Sequence, residues 1–288
     1  MTGRPVPRIH LSSSLSLALQ AAGHLISVIL PAQQRSWIGK AHFIDTLVTP
    51  TDFYPELIIY DEGDTVNMPS RKTNEEDKWV LANSTPASCV QLGLYHYFKD
   101  RDPVDLVVSG PNLGRNSTTL FALSSGTIGA ALEAALCGKR AVALSFAHKS
   151  DKYDPVVIQE AASHSVQLLE HLYNIWADDV DLYSVNIPLE VGMSAQKIMY
   201  TSISKKQWSS DGAFCSINRE EPCAVDKYEH KQFQWAPRLD NPRNSGKGSS
   251  PGDNEWAIAH GMTSVTPLQA NFLHSSVHKG EISLPQRG

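Results

Sequence analysis

Val104-Asp105-Leu106-Val107-Val108-Ser109-Gly110-Pro111-Asn112-Leu113-Gly114-Arg115-Asn116 passes from an apolar run into a loop of glycines and amides. Val104–Val108 reads as a strand buried on both faces, the pattern of a parallel sheet covered by helices. Ser124-Ser125-Gly126-Thr127 then opens a stretch rich in Ala and Leu, Gly126–Leu136, which Gly138 ends and which reads as a helix. Ala141–Phe146 is the next apolar run. Strand, helix and strand with short connections make a βαβ unit, which crosses over right-handed.

The alternation continues outward from this unit. Before it, Leu15–Ala22 reads as the end of a helix with Gly23 at its C-terminal stop, and Leu25–Leu30 as a short buried strand ending at Pro31. Phe43–Asp64 reads as extended segments broken by Pro50 and Pro55, and Met68–Lys78 as a polar loop. Ser88–Phe98 has apolar residues at helical spacing, with Thr85 or Ser88 placed to cap it and Pro86 in its first turn. After it come an amphipathic helix, Pro155–Trp176, and a strand, Asp181–Asn186, stopped by Pro188. From Ser204 to Glu255 the pattern weakens; Asn241–Asn254 reads as a mobile loop and 276–288 as a tail. The expectation is one doubly wound α/β domain over residues 1–275, three layers around a mostly parallel sheet. Its irregular extension, 204–255, is a possible oligomerisation arm.

Composition narrows the function classes. Net charge is −5 and pI about 6.1, against the basic footprint of a nucleic-acid or membrane-surface binder. Four cysteines are too few for a disulfide scaffold in 288 residues, and Cys215 and Cys223, with seven residues between them, lack zinc-ligand spacing. A reducing, cytoplasmic compartment is expected. Leu11–Leu30 imitates a signal peptide, but Gln20, Gly23 and His24 interrupt it, and Gln33-Gln34-Arg35 stands where small residues would mark cleavage. No run of about 18 apolar residues is present to span a membrane. The eleven histidines form no metal-binding cluster, and Asp178-Asp179 lies between a helix and a strand start, away from the loop of interest.

Ligands of open α/β sheets sit beyond the carboxyl ends of the strands, where the 109–116 loop lies. The first turn of the following helix offers unpaired N–H groups and the positive end of the helix dipole, suited to a phosphate. Gly126 allows close backbone approach, and the Ser125 and Thr127 hydroxyls add donors. Taken alone, Ser125 is an ordinary N-cap; with the Asn/Gly loop in the same unit, an anion site is the better reading. It is not a Walker loop, because no Gly-x-x-x-x-Gly-Lys-[Ser/Thr] occurs. A Rossmann dehydrogenase also fails, for want of Gly-x-Gly-x-x-Gly after a first strand.

Several blocks together resemble the SurE (survival protein) family. Val107–Asn116 resembles its strand followed by Ser-Gly-x-Asn, and Ser125-Gly126-Thr127 with Ala130-Ala131-Leu132-Glu133 its Ser-Gly-Thr helix. Thr85–Gly93 resembles its Thr-Pro-x-x-Cys-Val-x-Leu-Gly helix, and Arg35-Ser36 its Arg-Ser loop. Val185-Asn186-Ile187-Pro188 and Thr266-Pro267-Leu268 resemble its late blocks. The wording around Trp37, Arg115 and Trp235–Arg238 is similar to fungal members, some of which also carry a tubulin-tyrosine-ligase-like domain; nothing in this sequence is long enough to be one. The resemblance implies a phosphatase or nucleotidase dependent on Mg²⁺ or Mn²⁺, acting on nucleoside monophosphates or other phosphomonoesters, and homo-oligomeric. It implies Ser36 and Asn112 as metal ligands and Asn116, Ser125, Gly126 and Thr127 around the phosphate.

One block is missing. The family's Asn-Asp-Asp-Gly motif, whose aspartates complete the metal site at the end of the first strand, has no match; Met1–Arg8 stands there, and no acid precedes Asp45. The catalytic aspartates are therefore unknown in this chain. Two neutral ligands poorly offset the desolvation of a divalent ion. The first strand is expected to be lost beside Leu25–Leu30, through a truncated gene reading before a true pseudoenzyme, with phosphatase activity impaired. The alternative is a non-catalytic phosphate-binding or scaffold module.

Overall fold

The computed structural model describes residues 6–55, 78–148, 154–217, 231–237 and 249–272. Helix α1, Val6–Ala21, starts more than two turns before Leu15, where apolar spacing first makes a helix evident. Pro7 falls in its first turn, where the missing N–H has no partner to lose. Ser12–Ser14 are poor helix formers, but Leu11 and Leu15 on either side are buried in the core, and that packing overrides propensity. Gly23, at φ +90°, closes the helix as expected.

The expected strand Leu25–Leu30 contracts to β1, Ile29–Pro31, and Leu25 is 89% exposed. Strands β2 (Thr51–Phe53) and β3 (Trp79–Ala82) join it in a small sheet, β3 running parallel to β1 and antiparallel to β2. Residues 56–77, including most of the expected 68–78 loop, lie outside the described part. Helix α2, Pro86–Leu92, is capped by Thr85, whose hydroxyl accepts from Ser88 N at 3.1 Å. It runs on through one wide turn, Gly93–Tyr97, in place of the continuous helix to Phe98 that the spacing suggests.

The main sheet follows. Its strands are β4 (Leu106–Leu113), β5 (Arg140–Ala147) and β6 (Leu182–Pro188), then β7 (Ile198–Tyr200) and, after the hairpin β8 (Phe214–Ile217) and β9 (Gln232–Trp235), β10 (Thr263–Leu268). The order is β4-β5-β6-β10-β7; β4, β5 and β6 are parallel, and β10 is antiparallel to β6. Helices α3 (Thr119–Ser124) and α4 (Gly126–Leu136) lie between β4 and β5, α5 (Pro155–Asn174) between β5 and β6, and α6 (Asn254–Ala259) before β10.

Side-chain alternation along β5 divides the core. Val142, Leu144 and Phe146 pack with α1 and α5 on one face, and Ala141 and Ala143 with Ile128, Ala130, Ala131 and Ala134 of α4 on the other. This is the expected three-layer α/β arrangement with a mostly parallel sheet. The segment expected to be a mobile loop, Asn241–Asn254, ends in order instead. Asp253 caps α6 by accepting from Trp256 N at 2.7 Å, and Asn254 is fully buried. Residues 238–248 lie outside the described part, as do Cys223 and the expected tail.

Among the described residues no ladder connects β1 to β4, and both edges face one cavity of about 2470 Å³.

Candidate functional site

The carboxyl end of β4 is shaped by glycine. Gly110 sits at φ +131°, and a Cβ there would fall 2.3 Å from the Leu144 carbonyl oxygen, so only glycine fits against β5. Asn112 then lies opposite Ser145 in register. Asn116 turns inward. Its N–H donates to Asn186 Oδ1 and its amide Nδ2 to Ser145 Oγ, both at 2.8 Å, and the residue is only 6% exposed. These bonds tie the ends of β4, β5 and β6 together. Asn186, recognised in the sequence only as part of a motif, is the hub of that network and reaches Ser264 Oγ at 3.5 Å.

Ser125 is the N-cap of α4, its hydroxyl accepting from Ile128 N at 3.1 Å. The capping role and an anion-facing role are compatible, because the remaining first-turn N–H groups point outward along the helix axis. Gly126 answers a packing demand as well. A Cβ there would meet Ile38 Cγ2 at 3.0 Å, Pro86 Cγ at 3.1 Å and the Arg35 carbonyl oxygen at 3.3 Å. The Arg35–Lys40 loop is thus pressed onto the start of α4, and Gly39 N donates to Ser124 O at 3.0 Å. Trp37, next to Ser36, holds φ +60°, a left-handed conformation that costs a bulky residue energy. Its ring is held among Phe121, Trp208 and Trp235, with centroids 5.5–6.1 Å away.

Gly129, which the sequence did not mark, and Glu133, quoted there only as part of a motif, fix this loop. A Cβ on Gly129 would fall 2.4 Å from the Gly39 carbonyl oxygen, so α4 and the loop touch backbone to backbone. Glu133, 4% exposed, receives Gln91 Nε2 at 2.6 Å, and its other oxygen lies 2.5 Å from Lys40 Nζ and 3.5 Å from His42 Nε2. Burial alone would push the Glu133 carboxyl up. The hydrogen bonds from Gln91 and Lys40, with the charges of Lys40 and His42, outweigh it and hold the group below the ordinary glutamate range. For Gly129 the only sequence signal was a glycine inside a helical pattern.

Ser36, Asn112, Asn116, Ser125, Gly126 and Thr127 all line the one large cavity, at its end beyond β4. Arg35 and Arg115 line the same end. Among the described residues its carboxylates lie elsewhere: Asp100, Asp102 and Asp105 before β4, and Glu170 on α5, paired with His24 at 3.0 Å. With a rise of about 3.3 Å per residue, an eight-residue strand sets the two ends roughly 25 Å apart. The loop end is cationic and hydroxyl-rich, suited to an anion. It does not suit a divalent cation by itself. Ser36 and Asn112 offer neutral oxygens, Ser36 Oγ already accepts from Gln34 Nε2 at 2.8 Å, and no group of three His, Cys, Asp or Glu among the described residues is placed to hold a metal.

Comparison with known proteins assigns the fold and this loop to one family. A profile for Survival protein SurE matches residues 8–210. The chain belongs to the SurE family. It is 34% identical over 277 residues to the 5′-nucleotidase SurE of Ruegeria pomeroyi, covering 94% of this chain and 92% of that one. It is 30% identical to the 5′-nucleotidase SurE of Cytophaga hutchinsonii, covering 84% and 79%. A yeast protein named "Probable tubulin--tyrosine ligase PBY1" (Saccharomyces cerevisiae) is 30% identical over 291 residues, but the chain spans only 38% of its length. The crystal structure of the SurE protein of Aquifex aeolicus shares the fold, with a TM-score of 0.64 at 23% identity, covering 91% of this chain and 88% of that one. As a SurE member the chain falls in a phosphatase and nucleotidase family.

Proposed function

We propose that this SurE chain carries the phosphate-binding half of a metal-dependent phosphomonoesterase site, and that its hydrolytic activity is impaired. Asn112 and Ser36 are the neutral ligands left from the metal site. Ser125, Gly126 and Thr127 receive the phosphate at the start of α4, helped by Arg35 and Arg115. Asn116 acts mainly by holding the loop, since its side-chain donor is turned to Ser145. The substrate class is a nucleoside monophosphate or related phosphomonoester, and the expected metal is Mg²⁺ or Mn²⁺. The supporting observation is that all six candidate residues line the cationic end of one cavity whose carboxylates, among the described residues, lie at the opposite end.

The same observation favours a second reading, a SurE module that binds phosphomonoesters without hydrolysing them. We further propose a cytoplasmic, fungal-type protein in which residues 1–275 form one SurE domain, assembling into homo-oligomers through the irregular extension 204–255. No described helix is long and apolar enough to cross a membrane.

The phosphate half is tested without turnover. In ¹⁵N spectra of the chain titrated with adenosine monophosphate, the amides of Gly126, Thr127 and Ile128 should shift first, and Thr127→Val should weaken binding about fivefold to tenfold. Saturable binding that leaves these amides unmoved would refute the assignment.

A further inference from the structure

Aromatic rings gather where the Ser36 loop meets the base of the β8–β9 hairpin. The Trp37 ring lies 5.6 Å from Phe121, 6.1 Å from Trp208 and 5.5 Å from Trp235, centroid to centroid. Trp208 and Trp235 meet edge to face at 5.9 Å, and Phe214 packs on Trp235 at 5.2 Å. Packing alone accounts for this cluster poorly. Tryptophans that served only to fasten the hairpin would sit in a closed core, as buried Trp79 does, yet Trp208 and Trp235 keep 39% and 42% of their surface exposed. Trp37 is half-buried and holds φ +60°, which a glycine would adopt freely and a bulky residue adopts at a cost. Strain of this kind is kept where the side chain has a task in a site.

The cluster borders the start of α4. Residues on either side of Trp37 touch Gly126, whose Cβ position would lie 3.0 Å from Ile38 Cγ2 and 3.3 Å from the Arg35 carbonyl oxygen. Trp37 and Phe121 line the cavity together with Ser125, Gly126 and Thr127. Arg115 stands in the same wall, its guanidinium 5.9 Å from the Phe121 ring centroid. A phosphomonoester held at the first turn of α4 therefore has aromatic and cationic surface within reach of the group that its phosphate is attached to. Flat π-faces beside a guanidinium favour a flat ring. Nucleobases stack on indoles with little demand for base-specific hydrogen bonds, and a neighbouring arginine adds to the attraction.

We propose that Trp37, with Trp208 and Trp235 beside it, is a stacking platform for the base of a nucleoside monophosphate, and that it makes this chain prefer purine nucleotides to phosphomonoesters without an aromatic ring. The place of the phosphate rests on the phosphatase reading; the platform rests on the ring geometry. Trp37 is the indole in the cavity wall. Trp208 and Trp235 hold it at its strained φ and widen the aromatic surface. A purine is preferred to a pyrimidine because its two fused rings cover more of that surface. The platform takes no part in bond breaking; it selects the substrate by what the phosphate carries.

The test measures binding to the 1–288 chain and needs no turnover. Adenosine monophosphate, uridine monophosphate, ribose 5-phosphate and inorganic phosphate are titrated by calorimetry, with tryptophan fluorescence followed alongside. Adenosine monophosphate should bind about tenfold or more tightly than ribose 5-phosphate, with uridine monophosphate between them, and only the two nucleotides should quench the tryptophans. Trp37→Gly removes the ring and suits the backbone at φ +60°. In that variant the affinity ratio of adenosine monophosphate to ribose 5-phosphate should fall to about one, and Trp37→Phe should restore most of it. A tryptophan with a structural role alone would weaken all four ligands together and leave the ratio unchanged. Absent nucleotide binding, a ratio near one in the unaltered chain, or a ratio that survives in Trp37→Gly overturns the platform. If ribose 5-phosphate moves the Gly126, Thr127 and Ile128 amides and the base adds no affinity, the platform fails and the phosphate reading stands. Quenching and base preference with those amides unmoved would do the reverse.

Discussion

Strands β5 and β4 are neighbours in one sheet, similar in length and apolar content, and their surroundings are opposite. Phe146 and Val142 of β5 have no exposed surface, while Leu106, Val107 and Val108 of β4 are only half-buried. The polar groups do not divide in the same way. Asn116 bonds Ser145 and Asn186, and Glu133 is held by Gln91 and Lys40, whereas Arg35 Nε beside the cleft and Ser184 Oγ within β6 are both buried without a hydrogen-bond partner. Among the described residues, the start of α4 is packed against the Arg35–Lys40 loop, and the edge of β4 away from β5 pairs with no strand.

The sharpest test of this contrast is a pair of truncations. Phe146→Ala empties a dry, fully enclosed site and should cost about 3–5 kcal/mol in chemical denaturation. Val108→Ala, beside the wet cleft, should cost about 1 kcal/mol, because water already reaches its surroundings. Equal losses would mean that β4 is covered in solution. Gly129→Ala comes next. Alanine normally favours a helix interior by up to about 1 kcal/mol, but the 2.4 Å approach to the Gly39 carbonyl reverses the sign, giving a net loss of about 1–3 kcal/mol.

Glu133→Gln should cost about 1–2 kcal/mol and loosen the Arg35–Lys40 loop, seen as faster hydrogen exchange at Gly39. Because the folded carboxyl sits below its unfolded range, this contribution is full above the unfolded pKa and is lost as pH falls through the folded one. The smallest effect concerns His164. Burial holds its imidazole below the ordinary histidine range, with Glu160 partly opposing, so the unfolded chain takes up the proton first as pH falls. Stability from the neutral ring is present above about pH 6.5 and declines below it; His164→Gln should flatten that part of the stability–pH curve.

Much of the covered side could be read from residues alone. Continuous apolar runs announced β5 and β6, and alanine-rich spacing bounded by Ser125 and Gly138 announced α4. The rest depended on contacts far apart in sequence. Proline and three serines disguised the first half of α1, and only burial of Leu11 and Leu15 makes it helical. Helix α6 starts inside a Gly/Ser/Asn/Pro segment, so composition argued for a loop where Asp253 supplies a cap. The candidate site was legible as a set of types, since amides, hydroxyls and glycines at a strand end suit an anion. That Asn116 faces inward, or that Glu133 anchors the Ser36 loop through Lys40, could not be read from spacing.

The central proposal is that this chain keeps the phosphate half of a SurE site, with no anionic metal half among its described residues. It is tested most directly by the kcat/KM for p-nitrophenyl phosphate of purified 1–288 in saturating Mn²⁺, beside an intact SurE relative. Metal-assisted charge stabilisation supplies several kcal/mol, so the account predicts a value lower by about a thousandfold or more. Metal-dependent turnover within about tenfold of the relative would contradict it.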